Sequence, residues 1–223
     1  MFVKEIMTPN PVTVTTKSTL PQIVGLLREK QIRRVLVVDQ GKLVGIISDH
    51  DVDSVMPSPA TTLSRWEMNT LLDKLTADEI MTSPVFVTGP DCPLEEAARV
   101  MLERKFGALP VLQDGALIGI VTESDIFRAF VEMLSGGDVP GLRFVLQVEE
   151  GRGVLAQLAS IVNDNGGNII AIASMRADSE AYRRILVKEE GADPVKIKTA
   201  LEEVDIEVVD VRERGMCGVF QTP

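Results

Sequence analysis

One short motif occurs twice in the chain, and this repetition constrains the fold more than any other feature of the sequence. Residues 45–51 read GIISDHD and residues 119–125 read GIVTESD, at a shift of 74 residues. The apolar pair after the glycine is typical of a buried strand, and the hydroxyl residue can cap a helix that begins just after it. The hydroxyl and acidic positions are Ser48 and Asp51 in the first copy and Thr122 and Asp125 in the second. Each copy is therefore predicted to form a strand-to-helix corner.

Such a corner has the chemistry of a nucleotide site. The first turn of a helix presents free backbone N–H groups and partial positive charge, which favour an anion. An aspartate one turn into the helix can accept hydrogen bonds from sugar hydroxyls. Two corners of this kind predict a protein that holds a nucleotide.

The repetition extends well beyond the motif. IMT at residues 6–8 returns at 80–82, and PVTVT at 11–15 returns as PVFVT at 84–88. Apolar spacing then predicts strand, helix, strand, turn, strand and helix in each repeat. The predicted elements are 12–15, 20–30, 35–38, 43–47 and a helix from Asp51 in the first repeat, and 84–88, 93–105, 110–112, 116–121 and 125–134 in the second. A further helix is expected at 62–75, where Trp66 packs on its own domain or faces a partner.

A different pattern follows the glycine-rich residues 135–141, which read as a linker. Strands are predicted at 142–148, 168–174, 182–187 and 206–212, with a helix at 154–163 after the first strand and a helix at 194–201 after the third. The order βαββαβ in about seventy residues is the ferredoxin-like arrangement. The expected division is a first repeat at 1–60, an inter-repeat helix at 61–77, a second repeat at 78–135, a linker at 136–141, the ferredoxin-like domain at 142–214 and a tail at 215–223. The fold class is α+β with α/β character.

Charge and composition exclude several functions. A net charge of −10 and only 4% aromatic residues argue against nucleic acid. The longest apolar runs are of strand length, so no membrane partner is expected, and the amino terminus does not resemble a leader; a cytoplasmic location is the default. One histidine and two cysteines predict no metal site. Without a nucleophile elbow or a phosphate loop, no catalytic residue and no enzyme activity are expected.

Both repeats resemble the cystathionine-β-synthase-type (CBS) domain, in the Ile-Met-Thr opening, the Pro-Val-x-Val strand and the Gly-x-x-Ser/Thr-x-x-Asp ending. The carboxy-terminal unit resembles an ACT domain, through residues 150–155 (EGRGVL) and 166–169 (GGNI). The order, a tandem CBS pair followed by an ACT domain, is similar to that of acetoin-utilisation protein B-like proteins. The resemblance covers nearly the whole chain.

The CBS resemblance implies two clefts for adenosine nucleotides and assigns a role to each matching residue. Asp51 and Asp125 would accept from ribose hydroxyls, and Ser48 and Thr122 would contact phosphate or ribose. The backbone near the paired valines would read the adenine edge, and four apolar residues would form walls. The valines are Val12, Val14, Val85 and Val87, and the wall residues are Ile46, Ile47, Ile120 and Val121.

The two repeats differ where phosphate would bind. Arg33 and Arg34 precede the buried strand of the first repeat, and Gly107-Ala108 stands at the equivalent place in the second. The CBS resemblance makes both arginines candidate phosphate ligands; as an alternative, they are surface residues beside a strand. The sequence does not say which cleft they face.

The ACT resemblance implies an amino-acid effector near Gly153 and Asn168, with Arg152 in place of the usual proline. A glycine turn that only pairs subunits is the alternative.

Two main hypotheses for the whole chain follow. The first is a regulatory protein that senses ATP, ADP, AMP or S-adenosylmethionine, and an amino acid as a second ligand, without a cofactor, and acts on an unidentified partner protein. The second is a structural dimerisation adaptor with vestigial clefts. A third, an enzyme of carbon metabolism, has no residue support. Both families' modules pair with copies of themselves, so a homodimer is expected.

Overall fold

The computed structural model describes residues 1–56, 64–135, 137, 139–177, 179 and 181–213. Contacts between Cα atoms divide the chain into two units, Met1–Ile126 and Phe127–Pro223. The first unit holds the two repeats as far as Ile126, and the second holds the end of the second repeat's last helix and the ferredoxin-like domain. In the described parts of the chain, no helix combines the length and the apolar character that a membrane span requires.

The two repeats share the order helix, helix, strand, strand, helix, and the first repeat has two further short strands after its first helix. The first contains α1 Val3–Ile6, β1 Thr8–Pro9, β2 Thr13–Thr15, α2 Leu20–Lys30, β3 Arg34–Asp39, β4 Lys42–Ser48 and α3 Asp49–Val55. Helix α4 Arg65–Leu72 follows, shorter than the predicted 62–75 helix, whose first residues lie outside the described part together with the side chain of Trp66. The second repeat contains α5 Ala77–Ile80, α6 Leu94–Arg104, β5 Ala108–Gln113, β6 Ala116–Thr122 and α7 Glu123–Ser135.

The amino-terminal segment of each repeat belongs structurally to the other repeat. Strand β1 pairs with β6 of the second repeat, giving the sheet order β1-β6-β5. In return, Thr82 bridges Ile46 in the sheet β2-β3-β4 of the first. The cores repeat this exchange, because Val3 is buried among second-repeat residues and Ala77 among first-repeat residues. The two repeats are therefore interlocked by an exchange of their amino-terminal segments.

At each of these two exchanges, a methionine of one repeat packs closely against a glycine of the other. A Cβ built on Gly45 would lie 2.8 Å from Met81 Cγ and 2.9 Å from Met81 Cβ. A Cβ on Gly119 would lie 2.6 Å from Met7 Sδ. The glycine that opens each motif is thus required for the close approach of the other repeat's Ile-Met-Thr segment.

One expected strand is absent. Residues 84–88 form only a bridge between Thr88 and Val111 instead of the predicted strand. The backbone of Thr88 hydrogen-bonds to Pro110 and Leu112, both at 2.9 Å, and the Phe86 ring lies 4.9 Å from the Phe106 ring with the Arg104 guanidinium over the Phe86 ring. Phe86 stands at the position that Thr13 has in the first repeat. The periodicity of the sequence therefore does not predict this ring contact.

The second unit confirms the ferredoxin-like prediction. Its elements are β7 Leu142–Glu149, α8 Val154–Asp164, β8 Asn168–Arg176, β9 Tyr182–Glu190, α9 Pro194–Glu202 and β10 Glu207–Glu213. The four strands are antiparallel in the order β10-β7-β9-β8. Alternate residues of the two central strands, such as Phe144 and Ile185, pack against Leu158 of α8 and Ile197 of α9.

Candidate functional site

The first corner is Ser48 with Asp51, where β4 ends and α3 begins. Ser48 caps the helix as predicted, its Oγ accepting from the Asp51 N–H at 3.2 Å. Asp51 Oδ2 accepts from the Ser48 N–H and from the Ser48 hydroxyl, both at 2.7 Å. This reciprocal capping box uses one carboxylate oxygen and fixes the orientation of the side chain.

The second corner is Thr122 with Asp125, where β6 ends and α7 begins. Asp125 Oδ2 accepts from the Thr122 N–H at 2.9 Å and from the Thr122 hydroxyl at 2.7 Å. Asp125 is 7% exposed, whereas Asp51 is half-buried. The two corners have the same geometry but differ in their access to solvent.

Arg34 crosses from the first repeat to the second corner. A Cβ built on Gly107 would lie 2.8 Å from Arg34 Cζ, nearer still to its Nη2, and 3.3 Å from Glu123 Oε2. The guanidinium therefore occupies the space that a side chain at residue 107 would fill, beside the first residue of α7. The Glu123 N–H donates to the Gly107 carbonyl at 3.2 Å, which anchors the end of the helix there.

Arg33 lies at the other corner. Its carbonyl accepts from the Asp49 N–H at 2.9 Å at the start of α3, and its side chain is exposed. The two neighbouring arginines are thus associated with different corners. The equivalence of Arg33 with Gly107 was visible in the repeats, but the path of Arg34 across the unit and its neighbour Glu123 were not.

The proposed adenine and wall residues divide into two groups. Strand β2, with Val14, is at the edge of its sheet, and Val12 directly precedes it. Val85 is half-buried and Val87 exposed, both outside any strand. Ile46 and Ile120 pack with Leu36 and Ala108 where the two sheets meet.

The wall role of two residues is wrong. Ile47 and Val121 have no exposed surface and lie in the separate cores of their repeats. Successive residues of a strand point to opposite faces, so only one member of each apolar pair can face the space between the repeats.

The ACT-like unit has a cavity of about 350 Å³ at the start of α8. Gly153 lines it and caps the helix at φ +84°, a left-handed conformation that favours glycine. Glu150 and Arg183, which form an ion pair, also line it. The cavity is therefore lined by one acidic and one basic side chain, which pair with each other.

Asn168, the other proposed effector residue, does not line this cavity. Its Nδ2 donates to Glu190 Oε1 at 3.2 Å, and Glu190 lines a second cavity of about 430 Å³ together with Glu189. Glu189 is 1% exposed and accepts from the Ala192 N–H at 3.1 Å. Burial raises the pKa of the Glu189 carboxyl above its ordinary value, and the charge of Glu190 acts in the same direction, against the Ala192 hydrogen bond. Within one copy, Gly153 and Asn168 are thus associated with separate cavities.

Among the described residues, no three histidine, cysteine or acidic side chains are arranged to hold a metal ion.

Comparison with known proteins agrees with this architecture. Residues 3–58 and 77–132 match the family model of the CBS domain. The chain belongs to the CBS-domain proteins. Residues 140–212 of this CBS-domain protein match the model of a TTHA0829-like ACT domain. The predicted combination, a tandem CBS pair followed by an ACT domain, is confirmed.

Three relatives show the extent of the similarity. The uncharacterized protein MJ1426 of Methanocaldococcus jannaschii is 31% identical over 156 residues, covering 59% of this chain and 92% of that one. The chloroplastic CBS-domain protein CBSX1 of Arabidopsis thaliana is 32% identical over 144 residues, covering 56% of this chain and 61% of that one. The crystal structure of a proposed acetoin utilization protein (AcuB) from Vibrio cholerae is similar with a TM-score of 0.51 at 30% identity, covering 60% of this chain and 93% of that one.

Proposed function

We propose that this protein is a regulator whose CBS pair binds an adenine nucleotide and whose ACT domain binds an amino acid, and that it transmits occupancy to a partner protein. The observation that carries the proposal is the pair of corners, each presenting an oriented aspartate one turn into a helix. The adenine ligands we expect are ATP, ADP, AMP or S-adenosylmethionine.

The chemistry of each corner supports this ligand class. Capping engages only Oδ2 of Asp51 with Ser48, and a carboxylate has a second oxygen with which to accept from a ribose hydroxyl. The outer edge of β2 offers backbone groups to an adenine edge, and Arg34 at the second corner supplies a cation for phosphate. The backbone at Val12 and Val14 remains the proposed contact to the adenine edge, and Ile46 and Ile120 remain the proposed apolar walls.

The first prediction tests nucleotide binding with cap-preserving variants. In Asp51→Asn and Asp125→Asn, the amide oxygen can keep the hydrogen bond to the residue 48 or 122 N–H, so the NH₂ group turns toward the ligand. Losing a charged acceptor should weaken adenosine-ligand binding about tenfold or more at the affected corner. Because Asp125 is more buried, the two losses should differ.

The measurement is thermal shift and calorimetric titration of the full chain with adenosine, AMP, ADP, ATP and S-adenosylmethionine. A ligand that binds only the folded state must raise the melting temperature. A panel of amino acids tests the ACT cavity in the same way, with Arg183→Gln as the variant that should lose the response. If no adenosine compound and no amino acid stabilises the chain, the regulator proposal is wrong and a structural adaptor becomes the better description.

The regulator proposal also requires that ligand binding to the CBS pair and ligand binding to the ACT domain are coupled. An adenine ligand that prefers one arrangement of the domains changes the affinity for the ACT ligand. The ACT ligand must then change the affinity for the adenine ligand by the same factor.

The second prediction concerns assembly, and we propose a homodimer. Helix α7 carries four apolar side chains that are each more than half exposed, with Phe127, Phe130 and Met133 three residues apart and Val131 four residues after Phe127. Exposed rows of this kind mark interaction surfaces. Light scattering should give twice the 24.3 kDa chain mass, and Phe130→Glu should give the monomer mass at the same concentration. A native monomer would contradict the dimer.

A further inference from the structure

The second corner contains an acidic side chain that sequence analysis did not single out. Glu123 is the first residue of α7, next to Thr122 and two residues before Asp125. Its Oε2 lies 3.3 Å from the position of a Cβ on Gly107, and the Arg34 guanidinium lies closer still to that position. A phosphate that meets Arg34 must therefore also come near the Glu123 carboxylate.

The backbone holds the base of this side chain in place. The Glu123 N–H donates to the Gly107 carbonyl, so its Cα stays beside the residue over which Arg34 lies. The residue at the equivalent place in the first repeat is Asp49, which is shorter and whose Oδ1 accepts from the His50 N–H at 3.0 Å. Asp49 is thus turned onto its own helix, and the two repeats differ at this position as well as at Arg34.

Charge then favours one class of ligand over another. Arg34 contributes one positive charge at the second corner, whereas Glu123 and Asp125 contribute two negative charges, in a chain whose net charge is −10. Each phosphate beyond the first adds repulsion from Glu123 without a second cation among these three residues to offset it. A ligand with no phosphate or one phosphate avoids most of this repulsion.

We propose that Glu123 is a specificity-determining residue of the second corner, which selects adenosine ligands with at most one phosphate over nucleoside triphosphates. The proposal rests on the proposed adenosine binding and names the ligand class for this corner. Arg34 attracts the first phosphate, and Glu123 opposes those that follow.

The test compares ligand charge with protein charge in the full chain. Adenosine, AMP and ATP are titrated calorimetrically into native protein, Glu123→Gln, Glu123→Asp and Asp49→Asn, at constant ionic strength with EDTA present. Glu123→Gln should raise ATP affinity about tenfold, raise AMP affinity less and leave adenosine affinity unchanged. Glu123→Asp keeps the charge and should stay close to native, and Asp49→Asn should have a much smaller effect on the second corner.

The outcomes separate this inference from the proposed function. If native protein binds none of the three compounds, adenosine binding itself is wrong. If it binds adenosine but Glu123→Gln leaves the ratio of ATP to adenosine affinity unchanged, the role of Glu123 is wrong and adenosine binding stands. An equal gain for all three compounds would also overturn it, since a charge effect must grow with the number of phosphates.

Discussion

Gly45→Ala is expected to lower the free energy of unfolding of the CBS pair by about 1–3 kcal/mol, the usual cost of overpacking a tight contact. The new methyl would lie within 3.0 Å of both Cβ and Cγ of Met81. Cβ is fixed to the backbone, so rotation of the methionine side chain cannot remove the overlap. The Ile-Met-Thr segment would have to move away from β4 and weaken the bridge between Thr82 and Ile46.

Urea unfolding of the full chain measures this effect, and two other glycines provide comparisons. Gly25 lies exposed within α2 with nothing within 4 Å of a built Cβ, so Gly25→Ala should stabilise the helix by about 0.5–1 kcal/mol. Gly119→Ala should fall between the two, because only Met7 Sδ, the movable end of a side chain, would lie within 3.0 Å of the new methyl, and the nearest backbone atom, the Thr8 oxygen, would lie at 3.1 Å. Equal effects of Gly45→Ala and Gly25→Ala on the free energy of unfolding would show that the close contact between Gly45 and Met81 does not affect stability.

Unlike Gly45→Ala, Gly107→Ala should cost little stability, but it should lower the affinity for phosphate-bearing ligands about tenfold. Its methyl would overlap the guanidinium end of Arg34 and lie 3.3 Å from Glu123 Oε2; both groups are at the ends of flexible side chains, which can swing away at low cost. Arg34 would then leave the second corner, and a charge-assisted hydrogen bond to phosphate, worth about 1.5–3 kcal/mol, would be lost. Adenosine, which has no phosphate, should bind as before.

Calorimetric titration with AMP and adenosine checks this prediction, next to a urea titration for stability. Gly89→Ala is the matched control in the same repeat, because a Cβ there has nothing within 4 Å. Arg34→Ala should reproduce the AMP loss, and the double variant should lose no more than either single one, since both remove the same contact. Additive losses would mean that Gly107 acts independently of Arg34.

Much of this architecture was predictable because it depends on local sequence patterns. The exchange of Ser48 and Asp51 hydrogen bonds follows from a hydroxyl residue three positions before an acid at the start of a helix. The ferredoxin-like order follows from apolar spacing and from glycine at positions such as Gly166, whose φ is +79°. Such signals act within a few residues, and no tertiary contact opposes them here.

The sequence predicted less well which face of a strand a residue occupies and which residues far apart in the chain come into contact. The apolar pairs of the motif look alike in sequence, yet Ile47 is enclosed in its own repeat while Ile46 faces the other sheet. The predicted strand at 84–88 is also not formed, and Phe86 there contacts the ring of Phe106, a contact that no local pattern encodes.

Arg33 and Arg34 show most directly which features of the site the sequence determines and which the tertiary structure determines. The repeat itself determined that the chain has two corners, each with a capped helix and an aspartate, because the hydrogen bonds that build a corner join residues three apart. The repeat also showed that Arg33 and Arg34 have no counterpart in the second copy. Only the interlocking of the repeats decided that Arg34 lies over Gly107 beside Glu123, since the two sides of that contact are more than seventy residues apart in the chain. The balance of charge at the second corner is therefore a property of the assembled unit and of neither repeat alone.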